Sequence, residues 1–353
     1  MKDGKDPSSH CSRTLQRRQF LKILGVTGSV LALNPASGTR SMLATAVSHA
    51  RPAPGDIPKR PLGRTGIEVS VLCFGGAHLG RIQDESEAVN LLHHAIDAGI
   101  TFLDNAWEYN GGRSEELMGK GLQGRRQQVI LMTKLCSHGR DKKVAMRQLE
   151  ESLRRLKTDY LDLWQIHEVV YDDDPDRHFM PGGATDALFE AKRQGKVRFI
   201  GFTGHKHPKI HLDMLSRNFP FDTCQMPLNT FDGSYRSFEH DVLPVLNERG
   251  IAPIGMKSLS GNAEPIKQGI LTPQEAMQYV LSLPIASLVS GIDSHDVLKQ
   301  NITIARHFSP MSTAQMDGLR KRVAAFAMDG RYELFKSTNR YDGRIGKEQH
   351  GLA

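Results

Sequence analysis

Four residues of the types used in acid–base chemistry follow short apolar runs in the middle of the chain: Asp104 and Tyr109, Lys134, and His167. A lysine at the end of a buried strand is costly to desolvate unless it is paired, and Asp104 is the candidate partner. A lysine beside Tyr109 would favour the phenolate and lower a pKa that is about 10 when unperturbed. Such a tyrosine can act as a general acid near neutral pH. The four residues therefore predict a proton-transfer site.

Each of these residues also has a purely structural explanation. Asp104 and Lys134 could form an ion pair with no other task, and a tyrosine at the start of a loop is most often a packed surface aromatic. Four such residues at the ends of successive strands are harder to explain by packing alone. We therefore interpret the set as catalytic.

The elements that must position these side chains alternate along the chain. Helical patterns at 86–98, 142–156, 187–194 and 294–307 lie between apolar, β-branched runs. The predicted strands are 69–74, 101–104, 129–133, 160–166, 197–202, 223–226, 251–256 and 287–290. Repeated alternation of strand and helix over about 240 residues is typical of an α/β fold of the (β/α)8 TIM barrel type. A barrel of this kind has its active site at the carboxyl ends of its strands.

Several other enzyme classes lack their motifs in this chain. No Gly-x-Gly-x-x-Gly follows a predicted strand, and the P-loop, His-Glu-x-x-His and Gly-x-Ser-x-Gly patterns are missing. The formal charge of +7 is concentrated in residues 1–46, which hold seven basic and two acidic residues, a net of +5, so the remainder carries +2. A net charge of +2 on the remaining residues does not support nucleic-acid binding.

The first 46 residues resemble a Tat-type signal peptide. Arg17-Arg18 is a twin-arginine pair, the apolar stretch 23–33 follows, and Ala44-Thr45-Ala46 is a small-residue cleavage site. The apolar stretch is too short for a stable membrane span, which needs about 20 residues. The resemblance implies a bacterial protein exported by the Tat machinery to the periplasm or beyond.

The composition of the chain also predicts where the linker, the barrel and the carboxyl-terminal segment begin and end. Residues 47–58 are predicted to be a Pro-rich linker, and 59–328 the barrel. The polar segment 329–353 contains Tyr332, Phe335 and Tyr341, and could therefore dock over one end of the barrel.

Over residues 58–307 the sequence resembles the aldo-keto reductase family. The segment 60–70 is similar to the amino-terminal hairpin of that family. Asp104 and Tyr109, five residues apart and followed by 112–119, are similar to its signature. The resemblance implies reduction of an aldehyde or ketone to an alcohol, or the reverse, by hydride transfer from NAD(P)H.

The resemblance also implies a role for each polar residue. Tyr109 would donate the proton, Lys134 would modulate its pKa, Asp104 would orient the lysine, and His167 would position the carbonyl. Trp107 would line the substrate pocket, or else cap the barrel. The residues implied to bind the cofactor are Thr203, Gln225, Asn229, Lys257, Ser294 and Asn301. Where the family has Ser-Asn after the fifth strand, this chain has Thr203-Gly204.

Two arguments disagree on which nicotinamide is used. Most members of the family prefer NADPH, whose 2′-phosphate commonly meets a basic residue after the eighth strand. Here Asp293 and Val297 stand where a cation would often be, and a carboxylate would instead suit a ribose hydroxyl. We give the family tendency more weight and expect NADPH to be weakly preferred over NADH.

Two other function classes are considered. A nucleotide-binding regulatory or scaffold barrel with little turnover would lose the catalytic tetrad, whereas all four members are present here. A metal-dependent enzyme would need ligand pairs at strand ends, and the cluster of His205, His207 and His211 has no carboxylate or Cys at a suitable spacing. We therefore expect no metal site.

Overall fold

The computed structural model describes residues 55–136 and 140–352. The twin-arginine segment 1–46 and most of the linker 47–58 lie outside the described residues. Within the described ranges, no helix combines the length and apolar character needed to cross a membrane.

Eight parallel strands close into a barrel, which confirms the predicted fold class. The bounds are β3 Leu72–Gly75, β4 Phe102–Asp104, β5 Ile130–Cys136, β6 Leu161–His167, β7 Val197–Thr203, β8 Thr223–Pro227, β9 Ala252–Met256 and β10 Ser287–Gly291. Each strand pairs with the next in sequence, and β10 pairs with β3 to close the ring. All strands therefore present their carboxyl ends at one rim.

An antiparallel hairpin, β1 Lys59–Pro61 and β2 Glu68–Ser70, precedes the barrel. The single strand predicted at 69–74 is therefore wrong: β2 ends at Ser70 and β3 begins at Leu72. The chain bends at Val71 between them, and the Ser70 hydroxyl donates across the bend to the Leu72 carbonyl at 2.7 Å.

The hairpin supplies side chains to a small apolar cluster inside the barrel. Leu62 and Val69 pack there with Phe102, Met132 and Leu163, and all are buried. A far larger apolar cluster lies around them and takes in residues of the surrounding helices. The hairpin thus fills the amino-terminal end of the barrel and leaves the opposite rim for the site.

Helices follow the strands and surround them. They are α1 Gly76–Leu79, α2 Glu85–Asp97, α3 Arg113–Gly121, α4 Lys142–Leu156, α5 Asp174–Phe179, α6 Ala184–Arg193, α7 Pro208–Ser216, α8 Phe238–Asp241, α9 Leu243–Glu248, α10 Glu264–Lys267, α11 Pro273–Ser282, α12 His295–Arg306, α13 Thr313–Ala327, α14 Leu334–Ser337 and α15 Arg344–Gln349. Helix α4 matches its predicted bounds because Asp141 caps its first turn, accepting from the Lys143 amide at 2.6 Å, and Lys157 ends it in a left-handed conformation.

The segment after α13 lies against the carboxyl rim. Asp342 pairs with Lys206 at 2.7 Å, and the Gly343 amide donates to Glu168 at 2.7 Å. Lys336 is fully buried and pairs with Asp232 at 2.6 Å and Glu333 at 2.8 Å. These contacts bring the segment 341–345 to the mouth of the barrel.

Candidate active site

Asp104 and Lys134 form an ion pair inside the barrel rim. Their side chains are 3% and 1% exposed, and the lysine ammonium also donates to the Asn105 carbonyl at 2.7 Å. Asp104 ends β4 and Lys134 lies within β5. The pair satisfies a lysine whose burial would otherwise be costly.

Tyr109 lies directly over this pair. The Lys134 ammonium is 5.0 Å from the centroid of the Tyr109 ring. The chain leaves the tyrosine through three successive left-handed residues, Asn110, Gly111 and Gly112, before α3 begins. Glycine is favoured at position 112 because its φ of 96° lies in the left-handed region that L side chains rarely adopt.

The expected fall in the pKa of Tyr109 is wrong for this structure. Burial raises the pKa of the phenol well above its usual value, and the charges of Asp104, Glu108 and Glu168 raise it further. Lys134, which is paired with Asp104, does not reverse this rise. The phenol therefore keeps its proton at neutral pH.

His167 ends β6 and faces Tyr109 edge to face, with ring centroids 5.4 Å apart. Its Nδ1 lies 2.7 Å from Oε1 of Glu108, and the Cys136 thiol donates to Oε2 of the same glutamate at 3.2 Å. Burial acts to raise the pKa of Glu108, but the hydrogen bond and charge of His167 and the thiol hydrogen bond hold it below its ordinary value.

A cavity of about 680 Å³ opens beside these residues. Tyr109, His167 and Trp107 line it, as do Tyr341 and Arg344 of the carboxyl-terminal segment. The indole of Trp107 donates to Glu151 at 2.8 Å, which fixes the ring. Trp107 thus lines the cavity at the carboxyl rim, and its contact with a substrate stays a prediction.

A second cavity, of about 600 Å³, meets the first at Tyr109 and lies over the ends of β8, β9 and β10. Gln225 and Lys257 line it, and Thr203 lines the first cavity. Ser294 caps α12 by accepting from the Val297 amide at 3.3 Å, and the buried Asn301 donates to Ser290 at 3.0 Å. Five of the six predicted cofactor residues thus lie in or beside these two cavities.

Asn229 is the exception. It is fully buried, its amide nitrogen donates to Glu333 at 2.9 Å, and its oxygen accepts from the amides of Phe231 and Asp232. These contacts hold the loop after β8 to the carboxyl-terminal segment, and Asn229 is not among the residues that line either cavity.

The departure at Thr203-Gly204 has a steric cause. A Cβ on Gly204 would lie 2.2 Å from the Val169 carbonyl oxygen and 2.7 Å from the ring of His211. No asparagine can stand there without moving the backbone.

The second cavity has features that suit a dinucleotide. The loop 257–263 after β9 curls over it through left-handed residues at Lys257, Ser260, Gly261 and Ala263. Ser258, Gly261, Asn262 and Ala263 of this loop line the cavity. Lys257 supplies a cation, and burial lowers its pKa.

The three histidines first considered for a metal have other contacts. His205 bonds to the Phe335 carbonyl at 2.9 Å, His207 caps α7, and His211 packs on Phe202 and Phe238. Elsewhere, ligand atoms of Glu108, His167 and Glu168 lie within 4.8 Å of one another. Two of these three are already joined by the short contact between Glu108 and His167.

Sequence reasoning missed several residues that line the site: Glu108, Glu168, His78, Arg81, Tyr341 and Arg344. Glu108 and Glu168 each adjoin a predicted catalytic residue, which was a usable signal. His78 and Arg81 follow the end of β3, and the rule that barrel active sites lie at the carboxyl ends of the strands could have identified them. Tyr341 belongs to the segment expected to dock over one end of the barrel, but nothing in the local sequence places Arg344 at the rim.

Both the sequence and the fold are similar to those of known proteins. A model of the Aldo/keto reductase family matches residues 71–272. The uncharacterized oxidoreductase YqkF of Bacillus subtilis is 27% identical over 291 residues, covering 70% of this chain and 90% of that protein. L-galactose dehydrogenase of Arabidopsis thaliana is 32% identical over 237 residues, covering 62% and 68%. The structure of aldo-keto reductase AKR11C1 from Bacillus halodurans, in its holo form, has a TM-score of 0.64 and 26% identity, covering 75% of this chain and 96% of that chain.

Proposed function

The chain belongs to the aldo/keto reductase family, and we propose that in its reaction Tyr109 delivers the proton to the substrate carbonyl. The family carries out NAD(P)H-dependent carbonyl oxidoreduction, so this protein is an oxidoreductase enzyme. The proposed reaction converts an aldehyde or ketone to an alcohol, or the reverse.

The position of Tyr109 carries the proposal. It lines both cavities, the one with His167 and Trp107 and the one with Gln225 and Asp293. A carbonyl compound in the first cavity and a nicotinamide in the second would meet beside its hydroxyl. Bound NAD(P)H would supply a hydride there.

The surrounding residues then have separate tasks. The raised pKa of Tyr109 keeps the proton on its hydroxyl until transfer. Lys134, 5.0 Å from the ring, stabilises the phenolate that remains, and Asp104 holds the lysine in place. His167 lies edge-on to Tyr109 and orients the carbonyl oxygen. Thr203 and Gln225 would hold the carboxamide of the nicotinamide.

For the cofactor we propose NADPH, with weak discrimination against NADH. Lys257 and Arg81 line the second cavity and favour a phosphate-bearing ligand. Asp293 lines the same cavity and opposes a 2′-phosphate. Lys299 is exposed and lies outside the residues that line this cavity, so it does not offset Asp293.

For location we propose export by the Tat machinery. The support is the twin-arginine pair Arg17-Arg18 and the small-residue site that ends at Ala46.

A single substitution tests the chemistry. Tyr109→Phe should reduce turnover about 100-fold or more while nucleotide binding stays nearly unchanged, because the phenyl ring remains and only the acid is lost. The matched control is Tyr160→Phe, since the exposed Tyr160 hydroxyl bonds only to Gln127 among the described contacts, at 3.3 Å. A carbonyl panel with both cofactors provides the assay. Wild-type turnover in Tyr109→Phe contradicts the assignment, and nucleotide binding without any turnover favours the regulatory or scaffold alternative.

A further inference from the structure

Four side chains of the types that bind metal ions line the first cavity and come together at the carboxyl rim. They are Glu108 on the loop before Tyr109, His167 and Glu168 at and after the end of β6, and His205 after β7. Ligand atoms of the first three lie within 4.8 Å of one another. His205 adds a fourth, because its Nε2 lies 3.7 Å from Oε1 of Glu168. Two imidazoles and two carboxylates therefore converge from three segments of the rim.

The tautomer of His205 follows from its contact with the carboxyl-terminal segment. Nδ1 lies 2.9 Å from the Phe335 carbonyl oxygen, which only accepts hydrogen bonds, so Nδ1 carries a proton. In the neutral ring Nε2 then has a lone pair, and among the described residues this nitrogen has no hydrogen-bond partner although the residue is only 3% exposed. A histidine that ligates a metal commonly donates its other ring nitrogen to a backbone carbonyl in this way.

The backbone at Glu168 is unusual for a residue other than glycine. Its φ of 54° lies in the left-handed region, where a side chain with a Cβ is uncommon. Conformations of this kind cluster at active sites and at sites that hold ligands. Oε2 of Glu168 accepts from the Gly343 amide at 2.7 Å, while Oε1 is the oxygen that lies 3.7 Å from His205. The carboxylate is thus fixed beside the histidine nitrogen.

The spacing between these two residues suits a shared metal ion. At metal–ligand distances of about 2.0–2.2 Å, two ligands of a tetrahedral ion lie roughly 3.3–3.6 Å apart. The 3.7 Å between His205 and Glu168 is close to this value and too long for a hydrogen bond. Oε1 of Glu108 and Nδ1 of His167 are 2.7 Å apart, so they would separate by about 0.6–0.9 Å to bind one ion. Glu108 is on a loop and is the most exposed of the four side chains, at 17%, so it can make this adjustment.

We propose that Glu108, His167, Glu168 and His205 form a binding site for a divalent transition-metal ion of the Zn²⁺ type. Imidazole together with carboxylate is a ligand set that zinc accepts, whereas Mg²⁺ and Ca²⁺ prefer oxygen ligands alone. The two carboxylates balance the charge of the ion, as a site removed from water requires. No carboxylate stands near His205 in the sequence at a suitable spacing, and the fold supplies two from other segments of the rim.

The site adjoins the proposed reaction but does not depend on it. A neutral imidazole that binds a metal through one nitrogen keeps its proton on the other. Ligation through Nδ1 would therefore leave Nε2 of His167 as a hydrogen-bond donor for a substrate carbonyl. The ion would also tie the loop before Tyr109 to the ends of β6 and β7.

Zinc binding to the full-length chain, measured by isothermal titration calorimetry after treatment with a chelator, tests the site. We expect the cluster to bind one Zn²⁺ and to bind Mg²⁺ far more weakly. Glu168→Gln keeps the size and can still accept from the Gly343 amide, but it lacks the charge. His205→Gln removes one imidazole. Each variant should bind Zn²⁺ at least about tenfold more weakly, since loss of even an outer-shell partner costs roughly 10–100-fold.

The matched control is His94→Gln. The exposed rings of His94 on α2 and His295 on α12 have their Nδ1 atoms 3.2 Å apart, so they form a second place where zinc could bind without a built site. This variant should keep the wild-type affinity. Melting curves in the presence of chelator show whether each variant is folded, and Zn²⁺ should raise the Tm of the wild type more than that of either cluster variant.

The inference is overturned if Zn²⁺ does not bind, if either cluster variant binds it as tightly as the wild type, or if His94→Gln abolishes the binding. None of these measurements needs turnover. A carbonyl panel that finds no substrate would therefore count against the proposed function alone and leave the metal site standing.

Discussion

Removing either member of the buried Asp104–Lys134 pair should destabilise the barrel, and removing both should cost less than the two single changes together. Lys134→Met keeps the apolar stem of the side chain and leaves the Asp104 carboxylate alone in a site that is 3% exposed. Asp104→Leu likewise leaves the Lys134 ammonium without a counter-charge, on a side chain that is 1% exposed. Each single variant thus contains a buried charge without its partner.

The free energies of unfolding follow from this burial. A buried charge that loses its partner costs about 3–5 kcal/mol, so the two single variants should sum to about 6–10 kcal/mol. Replacement of a whole buried pair by apolar groups is often close to neutral. The double variant still loses the 2.7 Å hydrogen bond from Lys134 to the Asn105 carbonyl. Leaving that carbonyl without a donor costs about 1–3 kcal/mol, which is our estimate for the double variant.

Equilibrium urea unfolding, followed by tryptophan fluorescence, measures these changes in the free energy of unfolding. At an unchanged m-value, each change is given by the shift in the midpoint urea concentration. The control is Lys120→Met, because the Lys120–Glu85 pair is 2.5 Å long but 41% and 50% exposed. An exposed pair contributes about 1 kcal/mol or less. A double variant that is as destabilised as the sum of the single variants would refute the reasoning, since it would mean that the two charges do not depend on each other.

Three further predictions concern cofactor, location and pH. Asp293→Ser should raise kcat/KM for NADPH relative to NADH, because it removes a carboxylate that repels the 2′-phosphate. The control Asp296→Ser lies outside the cofactor cavity and should leave the ratio unchanged. A wild-type preference for NADH above about tenfold, near 1.4 kcal/mol, would contradict the proposed NADPH use. Arg17→Lys combined with Arg18→Lys should leave uncleaved precursor in the cytoplasm, and processed protein in the periplasmic fraction would count against Tat export. Burial raises the pKa of Glu333 to about 7 from an ordinary 4.5, so the folded chain holds a proton that the unfolded chain has released, and stability should fall as pH rises through that window. Glu333→Gln should flatten this part of the Tm profile, and an unchanged slope would exclude Glu333 as its source.

The barrel and its strand ends could be predicted because they depend on local patterns. A short apolar run that stops at a polar residue indicates both a buried strand and its carboxyl end, and β4 and β6 do end at Asp104 and His167. The break between β2 and β3 was missed because a single serine between Val69 and the apolar residues 71–74 does not distinguish two short strands from one long strand.

The electrostatics of Tyr109 could not be predicted from the neighbouring lysine alone. Sequence reasoning named Asp104 as the partner of Lys134 but counted neither that pairing nor burial against the expected fall in the pKa of Tyr109. The carboxylates of Glu108 and Glu168 then act on the phenol through space, from a loop and a strand end that no spacing rule brings together. The direction of a pKa shift depends on all nearby charges and on burial, so one partner read from the sequence is insufficient.

Strand register is the information that the sequence lacked most. Asp104 is aligned with Met132 on β5, and Lys134 lies two residues further along. Residues two apart share a face of a strand, so Asp104 and Lys134 are diagonal neighbours on one face and their side chains meet. A shift of β5 by a single residue would place them on opposite faces and would also separate Cys136 from His167, its register partner. The Asp104–Lys134 pair and the position of His167 beside Cys136 therefore depend on how β4, β5 and β6 align, which is set by packing around the whole closed barrel.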